Sequence, residues 1–196
     1  MKNIRSNIIA AGILCLSLGM TSCTKGFLDV ESKTESTTGN FYKTEQDAYR
    51  ALLGCYDGYR RATCGSAVNF LVSAEVMGYE CFGGSGASDG NGMRVTDRFD
   101  LSEMPSSTGS SWSGYYAGIY RCNELITREN SIQWNETGSM HTQDMAECHA
   151  IRAFLYFEVV RQFGNIPLLT KPTDENIPQA DPADVYKLIF DDLKLA

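Results

Sequence analysis

The chain has 196 residues, of which 43% are hydrophobic and 21% charged, and this balance excludes disordered and collagen-like proteins. Its formal net charge of -7 argues against a nucleic-acid partner, because a phosphate backbone repels an acidic protein. The length is sufficient for one domain with a sizeable core.

The first 23 residues have the pattern of a secretion signal that ends at a lipidation site. Two positive residues precede an apolar run over residues 8–20, which is shorter than the roughly 20 residues of a transmembrane helix. The run ends in Thr21-Ser22-Cys23, which resembles the lipobox of bacterial lipoproteins, although Met20 stands where that box usually has Leu. We therefore predict a signal peptide over residues 1–22 and a lipid anchor on Cys23. The alternative is an ordinary signal peptide with an incidental Cys23.

Residues 23–43 are rich in Ser, Thr, Lys and Glu, which is typical of a tether, and a helical domain is predicted over residues 44–196. In that domain, apolar residues recur at three- and four-residue spacing. This periodicity predicts helices over about 45–62, 111–128, 142–163 and 181–196, with a weaker helix over 67–77. The predicted fold is an all-α array of packed helix pairs. The last pattern reaches Ala196 without a stop signal, so we expect the natural protein to continue.

Local signals mark where several of these helices begin and end. Thr44 with Asp47 forms a capping pair, and Asp181 followed by Pro182 is typical of a helix start. Gly164 predicts a helix end, with Pro167 shortly after it.

The stretch from Gly78 to Ser111 is predicted to be irregular, because its glycine-rich centre favours neither helix nor strand. Long loops in compact domains are usually functional or disordered, and the aromatic residues that border this one favour function. Sugar rings require aromatic planes beside groups that form hydrogen bonds. Six residues supply that mixture and are the predicted ligand contacts: Tyr79, Phe82, Asp89, Asn91, Arg94 and Phe99. The alternative is that Phe82 and Phe99 only pin the loop to the helices.

Catalytic signatures are absent from the sequence, so no enzyme activity, cofactor or metal is predicted. Glu75 and Glu80 could form the pair of catalytic carboxylates of a glycoside hydrolase. The preferred interpretation is that one is a solvated acid and the other accepts a hydrogen bond in a loop. Five cysteines remain outside the signal and the lipobox: Cys55, Cys64, Cys81, Cys122 and Cys148. They show no C-x-x-C spacing, so zinc-type clustering is not expected, while disulfides and buried free thiols both stay open.

Four stretches of the mature chain resemble SusD/RagB-type lipoproteins of Bacteroidetes. They are Cys23–Asp29 followed by Phe41–Ala48, the pattern Trp112-x-x-x-Tyr116-x-x-Ile119-x-x-x-Asn123-x-x-Ile126, the segment Ala146–Phe157 followed by Val160–Leu168, and the pattern Val185-Tyr186-x-x-Ile189-x-x-Asp192-Leu193. The third stretch, with Arg152, Arg161 and Gly164-Asn165-Ile166-Pro167, carries the most specific match. We expect both arginines to pair with acids between helices, and Trp112 and Tyr116 to pack in the core.

The resemblance implies a tetratricopeptide-like helical array that is cut before the family's C-terminal half. It implies a lipoprotein on the surface of the outer membrane that binds oligosaccharides or other nutrients. It also implies a partner, a SusC-like TonB-dependent transporter that receives the ligand, and no enzymatic activity. A surface lipoprotein glycoside hydrolase, with catalytic residues beyond Ala196, is the alternative function.

Overall fold

The computed structural model describes residues 41–64, 70–84, 86, 91–100, 102, 104–135 and 138–196. The predicted signal peptide, Cys23 and most of the predicted tether lie outside these residues. The described elements, in chain order, are α1 (Glu45–Cys64), α2 (Phe70–Met77), α3 (Asn91–Asp97), α4 (Met104–Arg128), a 3-10 turn (Glu129–Ser131), α5 (Ser139–Phe163), β1 (Ile166–Pro167), β2 (Gln179–Ala180) and α6 (Pro182–Leu195). The all-α class is confirmed, and β1 pairs with β2 in a small antiparallel ribbon.

Capping interactions hold three of the predicted helix ends. Before α1, the Asp47 N–H donates to Thr44 Oγ1 at 3.3 Å, and the Thr44 N–H donates to Asp47 Oδ2 at 3.0 Å. Before α6, Asp181 Oδ1 accepts a first-turn N–H at 2.8 Å. After α5, Gly164 has φ 72°, which is the left-handed conformation that glycine adopts without strain. The three end signals are therefore confirmed. Among the described residues, no helix is long and apolar enough to span a membrane.

The core lies where α1, α4 and α5 pack together, and α6 covers one side of α5. Its largest fully buried side chains are Leu52 of α1, Tyr115, Ile119 and Leu125 of α4, Leu155 and Tyr156 of α5, and Ile166 of β1. The helices α1 and α4 approach closely at Gly58 of α1, where a Cβ would lie 2.9 Å from the Cα of Gly118 in α4. Glycine at both positions therefore lets two backbones touch.

Two positions depart from the apolar spacing of their helices. That spacing predicts Tyr56 on one face of α1 with Ala48 and Leu52, but Tyr56 is 44% exposed, because Cys55 and Gly58 face the core instead. It also predicts Leu193 in the buried stripe of α6, but Leu193 is 53% exposed. Within the described residues, α6 packs mainly on α5, so only part of its apolar face is covered.

The irregular stretch is shorter than predicted. The helix α3 lies inside it, and α4 begins at Met104 rather than near Ser111. Helix propensity alone disfavours a helix at Gly92 and Gly109, because glycine destabilises a helix by about 1 kcal/mol relative to alanine. Packing of α3 against α4 and α2 outweighs that cost.

Candidate functional site

The candidate site begins at the C-terminal end of α2. The Tyr79 N–H donates to the Val76 carbonyl at 3.2 Å, and the Glu80 N–H donates to the Glu75 carbonyl at 3.0 Å. These two bonds form a Schellman motif, in which the residue before the last adopts a left-handed conformation and is usually glycine. Here that residue is Tyr79, with φ 61°.

The end of α3 repeats this arrangement. The Phe99 N–H donates to the Thr96 carbonyl at 3.1 Å, and the Asp100 N–H donates to the Val95 carbonyl at 3.0 Å. Phe99 has φ 52°, so a second bulky residue occupies a position suited to glycine. Positive φ costs an L-residue about 1–2 kcal/mol, and such strain is concentrated at functional sites.

The two strained caps bring their aromatic rings together. The ring centroids of Tyr79 and Phe99 are 6.1 Å apart, with an angle of 37° between the planes. Tyr79 is 80% exposed and Phe99 is 40% exposed. The pair therefore presents aromatic surface to solvent, held by two helix ends rather than by a free loop.

Gly83 fixes the segment after Tyr79 against α3. It is buried, and a Cβ built on it would lie 2.3 Å from the Met93 carbonyl oxygen and 2.5 Å from Asp97 Cβ. A side chain cannot fit there without displacing the segment from α3. Glycine at this position therefore keeps the segment that contains Phe82 against α3, the helix that Phe99 follows.

The other predicted contacts divide between placed and unplaced residues. Phe82 is 91% exposed, so the alternative that Phe82 pins the loop is wrong. Arg94 is half-buried on α3, where its carbonyl accepts a hydrogen bond from Arg98 Nε at 3.2 Å. Asn91 begins α3, but its side chain is outside the described part, as is the whole of Asp89. Glu75 and Glu80 are both exposed, and they meet through the backbone hydrogen bond of the cap.

A second groove lies between α4 and the segment before β2. It has a volume of about 260 Å³ and is lined by Trp112, Tyr116, Pro167, Leu169, Glu175, Asn176 and Ile177. Trp112 packs against Tyr116 and Phe163, and the Tyr116 hydroxyl donates to the Pro167 carbonyl at 2.8 Å. Burial raises the pKa of Tyr116, so its hydroxyl stays protonated as that donor. Trp112 and Tyr116 are half-buried and pack against the core rather than inside it, so the expectation that they pack in the core holds only in part, and both also line this groove.

The polar residues of the family-like motifs converge on one buried network. Arg152 donates to both carboxylate oxygens of Asp192, at 2.7 and 2.8 Å, and to Asn123 Oδ1 at 2.8 Å. His149 Nδ1 lies 2.7 Å from Asp192 Oδ1. Arg152 thus joins α4, α5 and α6, as predicted. Arg161 contacts Glu158 one turn away on α5, and its predicted pairing between helices stays a prediction.

The electrostatics of this network fit a structural role. Burial opposes ionisation of Asp192, but hydrogen bonds from Arg152 and His149 outweigh it, and the pKa of Asp192 is lowered below its usual value. A carboxylate held ionised by a buried guanidinium serves as a fixed acceptor and does not exchange protons near neutral pH.

Three cysteines come together in a way that sequence spacing does not indicate. The Sγ atoms of Cys55, Cys122 and Cys148 all lie within 4.8 Å of one another, and each side chain is fully buried. The spacing along the chain does not indicate this cluster, because the three residues come from three different helices. All five cysteines in the described residues are free thiols.

Comparison with known proteins gives a consistent set of relatives. A SusD-like family model, described as starch-binding and associating with the outer membrane, matches residues 87–196, more than half of the chain. The SusD-like protein P38 of Formosa agariphila is 26% identical across the whole chain, and the match covers 38% of that protein. A SusD-like protein of Bacteroides ovatus is 27% identical over 50% of the chain and 19% of its own length.

Solved structures agree with these relatives. A laminarin binding SusD-like protein is 36% identical with a TM-score of 0.66, over 79% of this chain and 34% of that one. A SusD homolog from Bacteroides thetaiotaomicron is 27% identical with a TM-score of 0.61, over 84% of this chain and 32% of that one. The chain therefore spans about a third of the length of these relatives.

Proposed function

The chain belongs to the SusD-like family, and from this premise we propose that it is a glycan-binding lipoprotein of the outer membrane. Among the proteins it resembles, the one that is 36% identical is described as laminarin binding. The observation that carries the proposal is the pair of strained, exposed aromatic caps at Tyr79 and Phe99.

The aromatic pair suits a sugar by its chemistry. A pyranose ring presents an apolar face edged by hydroxyls, and an aromatic plane covers that face. Covering one plane removes on the order of 60 Å² from water, which contributes about 1.5 kcal/mol at roughly 25 cal/mol per Å². Two planes with a few hydrogen bonds give a Kd of about millimolar to micromolar, which allows release of the ligand. Arg94 on α3 is the proposed hydrogen-bonding partner, with Phe82, Asp89 and Asn91 as further proposed contacts.

Replacing Tyr79 with glycine separates ligand binding from folding. Tyr79→Gly should weaken binding of laminarin about tenfold, because one aromatic plane is lost. The same change relieves a strained φ, so the melting temperature should stay level or rise. Calorimetry with laminarin and with starch oligosaccharides measures the first effect, and a thermal melt measures the second.

The matched control is Tyr49→Ala, which removes an exposed tyrosine from α1. It should leave the affinity for laminarin unchanged. If Tyr79→Gly binds as tightly as the parent chain, or if the parent chain binds neither glycan, the assignment of the aromatic caps to a sugar site is wrong.

We also propose that the mature protein begins at a lipidated Cys23, with a tether over residues 23–43 before the helical domain. Cys23→Ala should then give an unprocessed or soluble product on membrane fractionation and mass spectrometry. A variant that is processed and anchored like the parent chain would contradict the lipid anchor.

The proposed partner is a SusC-like TonB-dependent barrel, because a lipid-tethered binder cannot move its ligand across a membrane by itself. Purification from native membranes in mild detergent should recover a large β-barrel in near-equal amount. Recovery of the lipoprotein alone in several detergents would count against this partner.

The proposal includes no hydrolysis, so incubation with laminarin should release no new reducing ends.

A further inference from the structure

The buried cysteine cluster can be assigned a chemistry of its own. Cys55 lies on α1, Cys122 on α4 and Cys148 on α5, which are the three helices that form the core. Their Sγ atoms lie within 4.8 Å of one another. When three atoms are all within 4.8 Å of one another, one position always exists that is no more than about 2.8 Å from each of them. For comparison, a zinc–thiolate bond is about 2.3 Å long. Shifts of about half an ångström would therefore bring all three sulfurs into bonding distance of one ion.

The helices around the cluster hold the sulfurs in place. The backbones of α1 and α4 touch at Gly58 and Gly118, one turn along from Cys55 and Cys122. In the ion-free chain, Cys148 Sγ donates a hydrogen bond to the Cys122 carbonyl at 3.6 Å, and this bond ends when the thiol loses its proton to an ion. A site carried by rigid elements is preorganised, so binding an ion there requires little ordering of the chain.

The donor set selects the kind of ion. Among the described residues, the cluster consists of the three sulfurs, and no histidine or carboxylate completes it. Zinc in structural sites takes four ligands, whereas soft thiolates also select monovalent copper, which accepts fewer.

We propose that Cys55, Cys122 and Cys148 form a buried thiolate site for one monovalent copper ion. Each thiol that binds the ion releases its proton to solvent, and the copper stays monovalent, so no electron is transferred. This site is separate from the aromatic caps and does not depend on the proposed glycan binding.

The test uses the full chain in detergent, with the four other cysteines replaced: Cys15→Ser, Cys23→Ser, Cys64→Ser and Cys81→Ser. Under anaerobic conditions with a competing copper(I) chelator, this variant should retain one copper ion per chain. It should show sulfur-to-copper charge-transfer absorption and a raised melting temperature. Zinc under matched competition should not be retained.

The reciprocal variant carries Cys55→Ala, Cys122→Ala and Cys148→Ala and keeps the other cysteines. It should bind copper without a rise in melting temperature, and its thermal melt shows whether the core still folds. The proposal is overturned if the folded three-cysteine chain takes up no copper or retains zinc equally well. It is also overturned if mass spectrometry of that chain finds a disulfide within the cluster.

Discussion

Asp192 is the residue through which the packing of α6 on the middle of α5 depends on charge. It accepts two hydrogen bonds from Arg152 and lies 2.7 Å from His149, with 2% of its surface exposed. Removing one partner of a buried ion pair costs about 3–5 kcal/mol, because the other charge is left without compensation. The motif residues that mark the family here thus stabilise the fold and lie apart from the aromatic caps.

The lowered pKa of Asp192 predicts how acid affects stability. A carboxyl group whose folded pKa lies below its unfolded value of about 3.9 stabilises the fold above that value. The stabilisation is lost as the pH falls through the folded pKa. Asp192→Asn should therefore lower the unfolding free energy by about 3 kcal/mol at pH 7, and the difference from the parent chain should shrink below about pH 4. Denaturant melts between pH 3 and pH 7 measure this difference.

The neighbouring residue provides the control for that measurement. Asp191 is exposed and pairs with Lys194 at 2.8 Å on the same helix. Such surface pairs contribute about 0–1 kcal/mol, so Asp191→Asn should change stability little at any pH. If the difference in unfolding free energy between Asp192→Asn and the parent chain stays constant down to pH 3, the role of the ionised carboxylate is contradicted.

At the scale of the elements, α1 and α4 are held at contact distance by Gly58 and Gly118. A Cβ on Gly58 would lie 2.9 Å from the Gly118 Cα and 3.4 Å from Arg121 Cδ, so backbone would have to move to accept it. Alanine favours a helix over glycine by about 1 kcal/mol, but overpacking a core costs about 1–3 kcal/mol. The second effect dominates wherever the clash is with backbone.

Gly58→Ala should therefore lower the unfolding free energy by about 1–2 kcal/mol despite its better helix propensity. Gly54 lies one turn earlier on α1, and a Cβ there would meet nothing within 4 Å. Gly54→Ala should thus raise stability by up to about 1 kcal/mol. If α1 and α4 are as close as described, denaturant melts of the two variants should show changes in unfolding free energy of opposite sign. Equal and positive changes would show that α1 and α4 are further apart.

The sequence was sufficient to predict elements with strong periodicity and local end signals. Residues such as Leu52, Ile119 and Val159 fall on regular faces, and Thr44 carries its capping partner three residues away. The helix α3 was missed because its first turn contains Gly92, and only contacts with other helices make it stable.

The candidate sites were predicted only in part, because their key features are not local. Tyr79 and Phe99 were identified as aromatic loop borders, but their positions as left-handed helix caps depend on where α2 and α3 end. The cluster of Cys55, Cys122 and Cys148 depends on how three helices pack, which spacing along the chain does not encode.

At the scale of the whole molecule, an apolar groove of about 450 Å³ lies between α5 and α6. It is lined by Ala150, Ala153, Phe154, Phe157, Tyr186, Ile189, Phe190 and Leu193. Its volume falls within the range of small-molecule sites, and large exposed apolar surfaces are uncommon on isolated soluble domains. Phe190 and Leu193 are the most exposed of its large side chains.

The groove should bind the dye ANS, whose fluorescence rises in apolar surroundings, without any loss of tertiary structure. Leu193→Asp places a charge at the rim of the groove and should reduce ANS fluorescence severalfold, because burying an unpaired charge is unfavourable. Leu53→Asp is the matched control, since Leu53 is similarly exposed but lies on α1 outside the groove. Near-ultraviolet circular dichroism should show the same packing in all three chains. Equal fluorescence from both variants would mean that the dye binds elsewhere, or reports partial unfolding of the core rather than a groove formed by α5 and α6.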